Sequence, residues 1–98
     1  MSSFFEITAS DQPVLVDFFA TWCGPCKTVS PILKEVKDSL GDQVKIIKID
    51  VDKNQRLAAS LSVKGVPTLV LYKNSKILWR QSGVVPKNDI ISKIKEYL

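Results

Sequence analysis

The apolar and polar positions fall into segments with two distinct periods. Val14 to Phe19 is almost continuously apolar, interrupted only by Asp17, and predicts a central strand buried on both faces. From about Gly24 to Leu40 the apolar residues recur as Val29, Ile32, Leu33, Val36 and Leu40, the spacing of one helix face. Gly41 is a fitting stop, and Pro31, which lacks a backbone donor, is expected to bend this helix. Val44 to Ile49 predicts a second strand, and Asn54 to Leu61 a helix with Leu57, Ala58 and Leu61 inward. Thr68–Tyr72 and Ile77–Gln81 read as a hairpin around Asn74-Ser75. Ser3 to Ala9 reads as a short, weak helix carrying Phe4, Phe5 and Ile7. Asp11-Gln12-Pro13 forms the turn before the first strand. After Pro86 a last helix presents Ile90, Ile91, Ile94, Tyr97 and Leu98 on one face.

The predicted order αβαβαββα specifies an α/β fold, a central sheet with helices on both faces, beginning with a right-handed parallel crossover. No repeat, low-complexity tract or linker interrupts the 98 residues, so one domain is expected over residues 1–98. At 45% hydrophobic and 24% charged the chain is globular rather than disordered, and large enough for an ordinary core without disulfide staples.

The balance is basic, with 14 Lys and Arg against 10 Asp and Glu. A nucleic-acid site would need those charges concentrated, and no run of neighbouring Lys or Arg occurs. Lys34, Lys37, Lys93 and Lys95 fall where solvated helix faces are expected. No apolar stretch approaches a membrane span, and Met1-Ser2-Ser3-Phe4-Phe5 lacks a charged and then apolar leader. Neither a nucleic-acid nor a membrane partner is therefore expected, and a reducing cytoplasm is the expected setting, although a mature exported domain restarted with Met reads identically.

The only two cysteines sit in Trp22-Cys23-Gly24-Pro25-Cys26, between the first strand and its following helix. This is the arrangement thiol–disulfide exchange requires. With the helix starting at the motif, Cys23 is the N-cap. Its sulfur then faces the unpaired N–H groups and positive dipole end of the first turn, which favour thiolate. Pro25 falls where a missing N–H costs nothing. An unperturbed thiol, with a pKa of about 8.5, is only about 3% thiolate at neutral pH. Cys23 is accordingly the expected nucleophile, ionised and reachable, and Cys26, one turn deeper, the resolving thiol. A structural bridge remains an alternative, but so short a loop removes little chain entropy. A zinc site needs four ligands; with two Cys and no His, this chain can supply one only across a dimer. No metal is expected.

From about Pro13 to Tyr97 the sequence resembles the thioredoxin family. The resemblance rests on the Trp-Cys-Gly-Pro-Cys run, Val16-Asp17-Phe18, Pro31, Gly65-Val66-Pro67-Thr68 and Gly83. It implies the strand order second, first, third, fourth, with the hairpin strands antiparallel to the other two. It also implies a cis Val66–Pro67 bond that turns the Val66 backbone toward the cysteines, where an extended substrate segment pairs with it as an added strand. Trp22, Pro25, Val51, Gly65 and Gly83 complete an apolar rim around Cys23 in that picture, and Gly24 and Pro67 belong to the same binding surface.

Asp17 fits its apolar run least. Period two puts it with Leu15 and Phe19 against a covering helix, where desolvation raises its pKa. The resemblance implies that it accepts the proton of Cys26, through water, and that Lys48 moderates its charge. Gly24-Pro25 resembles the reducing members of the family. The expected activity is therefore reduction of protein disulfides by a monomeric dithiol carrier, without a bound cofactor, re-reduced by a thioredoxin-reductase-type donor. A non-catalytic binding module on the same fold and an exported oxidoreductase are the alternatives.

Three departures from the family pattern stand out. Too few residues precede Val14 for the family's first strand, which would leave the second strand of this chain as an exposed edge open to pairing or dimerisation. Phe19 stands where many relatives carry Trp, and Ser75 where the hairpin turn usually has Gly.

Overall fold

A computed structural model describes residues 3–98. The elements in chain order are α1 (Phe4–Thr8), β1 (Val14–Phe19), α2 (Gly24–Leu40), a 3-10 turn (Gly41–Gln43), β2 (Lys45–Asp50), α3 (Gln55–Ser60), β3 (Thr68–Lys73), β4 (Lys76–Ser82) and α4 (Lys87–Lys95). The sheet runs β2-β1-β3-β4, with β1 and β2 parallel and the other pairs antiparallel. That is the order the resemblance implies.

The alternation along β1 divides the core in two. Leu15 faces α2 and α4, packing with Val29, Leu33, Val36, Ile90 and Ile94. Val14, Val16 and Phe18 point the other way, against Phe4 and Ile7 of α1 and Leu61 and Val63 beyond α3. Asp17 and Phe19 share Leu15's parity, so they lie on the α2 side. Among the described residues β2 is an edge strand with no element beyond it.

Local chemistry explains the element ends. Gly41, at φ 55°, terminates α2, and Lys37 Nζ donates to the carbonyls of Gly41 and Val44 at 2.8 and 2.7 Å, satisfying the chain where the helix leaves it. α2 runs through the exposed Pro31 as one unbroken helix. Asn74 and Ser75 both adopt positive φ, 53° and 67°, the conformation of a two-residue I′ turn. Two expectations need correcting. The second strand begins at Lys45, Val44 being the extended residue before it. Leu98 lies past the end of α4 and is 55% exposed, because the helix stops at Lys95 before its apolar face can carry that residue inward.

Candidate active site

The disulfide forms where β1 hands the chain to α2. Cys23 is the N-cap of α2 in extended backbone, and Pro25 lies in the first turn. The Cys26 N–H donates to Cys23 Sγ at 3.1 Å, which satisfies one helix-start donor with sulfur and would stabilise that sulfur as an anion. Cys23 and Cys26 are bridged, with Cα atoms 5.3 Å apart. The two cysteines are 3% and 5% exposed, so accessibility does not separate them as expected. Both are covered by Ala20 together with Phe19, Val51 and Val66. Their difference lies in helix position: Cys23 caps the helix and Cys26 is inside it.

The loop carrying Val66 is held from below by β3 and β4. The Val66–Pro67 peptide is cis. Thr68 Oγ1 donates to the Gly65 carbonyl at 2.7 Å and lies 3.0 Å from Ser82 Oγ, and the Gly83 N–H donates to the Pro67 carbonyl at 2.9 Å. Gly83 itself has φ 91°, a conformation that favours glycine. The loop is thus placed directly against the cysteines through Val66, while Gly65 and Gly83 act through their backbone. Trp22, the motif residue before Cys23, keeps its ring open at the surface. It is 70% exposed, and its indole N–H donates to Asp52 Oδ2 at 2.8 Å, bracing the motif against the segment after β2.

Asp17 is fully buried, and neither carboxylate oxygen has a hydrogen-bond partner among the described residues. Desolvation pushes its pKa up to about 6, partly opposed by the positive charge of Lys48. Lys48 is its register partner across the parallel β1/β2 pair. The ammonium donates to Ser30 Oγ on α2 at 2.9 Å and lies 4.9 Å from the Phe19 ring centroid. Lys48 therefore moderates Asp17 at a distance rather than pairing with it.

Arg80 and Ser30 were not legible as site residues. Arg80, on β4, donates from both terminal nitrogens to the carbonyls of Leu61 and Ser62, tying down the start of the loop that carries Val66. Ser62 has φ 56°, so its backbone needs such an anchor. The sequence holds no local signal for this tie, because Arg80 is 18 positions from Ser62.

The family model for thioredoxin matches residues 2–96. The chain belongs to the thioredoxin family. It is 44% identical over 98 residues to "Thioredoxin Y, chloroplastic" of Oryza sativa subsp. japonica, covering 99% of this chain and 58% of that protein. It is 40% identical over 92 residues to "Thioredoxin" of Haemophilus influenzae, covering 94% of this chain and 86% of that one. Among solved structures, a mutant thioredoxin from Halobacterium salinarum NRC-1 superposes with a TM-score of 0.88 at 33% identity, covering 99% of this chain and 84% of that one. The chain thus spans a little over half the length of the chloroplastic relative. From β1 to α4 the chain carries the family's four-stranded mixed sheet and flanking helices, and the Cys-x-x-Cys pair has the geometry for thiol–disulfide exchange.

Proposed function

We propose that this chain is a protein-disulfide reductase: a dithiol carrier that passes two electrons to disulfide-containing proteins and is recharged by a thioredoxin-reductase-type donor. The observation that carries the reading is Cys23 at the α2 N-cap, accepting the Cys26 N–H while bridged to Cys26. In the reduced form, Cys23 thiolate attacks one sulfur of a substrate disulfide. The substrate S–S bond breaks, one substrate sulfur leaves as thiolate, and a mixed disulfide forms. Cys26, having given up its proton, attacks Cys23 Sγ. The mixed disulfide breaks, the second substrate thiolate leaves, and the Cys23–Cys26 bond forms. Two electrons reach the substrate, whose thiolates take up two protons.

Asp17 is the proposed acceptor of the Cys26 proton, through water. A buried carboxyl with a pKa of about 6 is matched to that task near neutral pH. Lys48 is proposed to keep that value from rising further. Val66 is proposed to pair its backbone with an extended substrate segment, since its N–H and C=O are not used in the backbone hydrogen bonds of the loop. Trp22, Gly24, Pro25, Val51, Gly65, Pro67 and Gly83 frame that surface. The chemistry requires no bound cofactor, because the redox group is the disulfide. The proposed setting is a reducing compartment, the cytoplasm, with the protein acting as a monomer and carrying electrons between reductase and substrates.

Insulin reduction with the purified protein tests the reading, alongside a redox titration. Catalysed precipitation of insulin chains and a potential near the ~−270 mV characteristic of thioredoxins support it. A potential near ~−120 mV, or wild-type function after replacement of both cysteines by Ser, would refute it.

A further inference from the structure

Lysines that are scattered in the sequence converge along one seam of the fold. A hollow of about 250 Å³ opens beside Cys26, with Lys27, Ser30 and Lys48 in its wall. A second, of about 390 Å³, continues between α2 and β2, with Lys34 and Lys37 above a floor of Leu33 and Ile46. The two share Ser30 and Lys48, so together they form one furrow leading away from the disulfide. Positions 27, 30, 34 and 37 are three or four apart and form a single stripe of α2. From Lys27 to Lys37 a helix rises about 15 Å, the length of about four or five extended residues.

The furrow's electrostatics are one-sided. Among the described residues no Asp or Glu lines either hollow. Among the described residues the only ion pair is Lys93 with Glu96, at 3.0 Å, on α4. Lys37 and Lys48 donate to neutral oxygens, which orient the ammonium groups without cancelling their charge. Four lysines therefore line the furrow with no acidic side chain in its wall among the described residues, Lys48 alone being partly offset by the buried Asp17 carboxylate across the strand pair.

We propose that this furrow binds an acidic, extended segment of about four or five residues in the disulfide-bearing proteins on which the chain acts. The inference rests on the reductase reading above and names the substrate class which that site prefers. Acidic side chains reach the lysines while their methylene stems lie over Leu33 and Ile46. The furrow begins at Cys26, so a segment lying in it is held beside the disulfide undergoing exchange. A nucleic acid fits less well. The one aromatic in the wall, Phe19, is already covered by the Lys48 ammonium, leaving no free stacking platform.

The test uses a synthetic peptide with one internal disulfide, carrying a four-residue acidic, neutral or basic tail on either side of it. At low ionic strength an acidic tail on one side is expected to raise kcat/KM about tenfold over the neutral tail, and a basic tail to lower it. At 0.5 M salt, where the Debye length is about 4 Å, the preference should largely vanish. Lys34→Glu should abolish the acidic preference. Lys95→Glu, an exposed α4 substitution with the same change in net charge, should leave it within about twofold. Three results overturn the proposal: no preference for acid, equal losses in Lys34→Glu and Lys95→Glu, or a single-stranded oligonucleotide displacing the acidic peptide at equal concentration. Failure to reduce even the neutral peptide would instead remove the reductase reading, and this inference with it.

Discussion

Asp17 and Lys48 stand opposite each other across β1 and β2, yet they do not form an ion pair. The short Asp17 side chain stays at the covered centre of the sheet, whereas the longer lysine stem carries its ammonium out to Ser30. The carboxylate keeps most of its desolvation penalty and is only partly compensated by the nearby charge.

The consequence is a pH-dependent cost of folding. The Asp17 pKa rises from 3.8 to about 6 on folding, so the folded state holds the proton more tightly. The stabilisation from the protonated form is complete below about pH 4 and is lost as pH rises through about 6, at roughly 3 kcal/mol for the full shift. Asp17→Asn should therefore raise stability by about 1–3 kcal/mol at pH 7 and by little below pH 4. The same variant should resolve mixed disulfides more slowly near neutral pH, with the defect shrinking as pH rises. Urea denaturation and single-turnover kinetics on one mutant across pH check both. A variant that is less stable at pH 7 yet fully active would make Asp17 structural.

Trapping experiments separate the two cysteines. Since both are nearly covered, the asymmetry must come from the helix start, which stabilises the thiolate at Cys23 alone. Cys26→Ser should accumulate mixed disulfides through Cys23, and Cys23→Ser almost none. Non-reducing gels of each variant incubated with an oxidised protein substrate read this out, and equal trapping would exchange or dissolve the assigned roles.

The hairpin turn offers a stability gain. Asn74 and Ser75 both hold positive φ, which a Ser adopts at a cost that Gly avoids. Ser75→Gly should stabilise the protein by up to about 1 kcal/mol, seen as a shift of the denaturation midpoint with unchanged slope. An unchanged or lower midpoint would mean that the turn does not strain Ser75.

Arg80 should matter more than its exposed position suggests. Arg80→Met removes two donors from the Leu61 and Ser62 carbonyls, and a loss of about 1 kcal/mol is expected. Amide exchange measured by mass spectrometry should speed up mainly in the segment from Leu61 to Val66, with Arg80→Lys recovering only part. Uniform acceleration across the chain would indicate general destabilisation instead.

The amino-acid order by itself determined which segments become strands and helices and where the redox pair sits. Those properties are local: the near-continuous apolar run of β1, the helical period of α2, and a Cys-x-x-Cys that caps a helix wherever one starts. The misfit of Asp17 was legible for the same reason, since strand alternation alone puts it on the face of Leu15. Relationships between residues distant in sequence were decided by the tertiary structure. Only β1/β2 pairing sets Lys48 opposite Asp17, and only the packing of α2 beside it draws the ammonium to Ser30. Arg80 reaches the α3 end because β4 runs past it, and nothing in either segment announces the other. Likewise Lys34 and Lys37 read singly as solvated helix positions, and nothing in the sequence joined them to Lys27. They become one charged furrow with Lys48 when β2 closes the other side, because a potential depends on distances in space rather than along the chain.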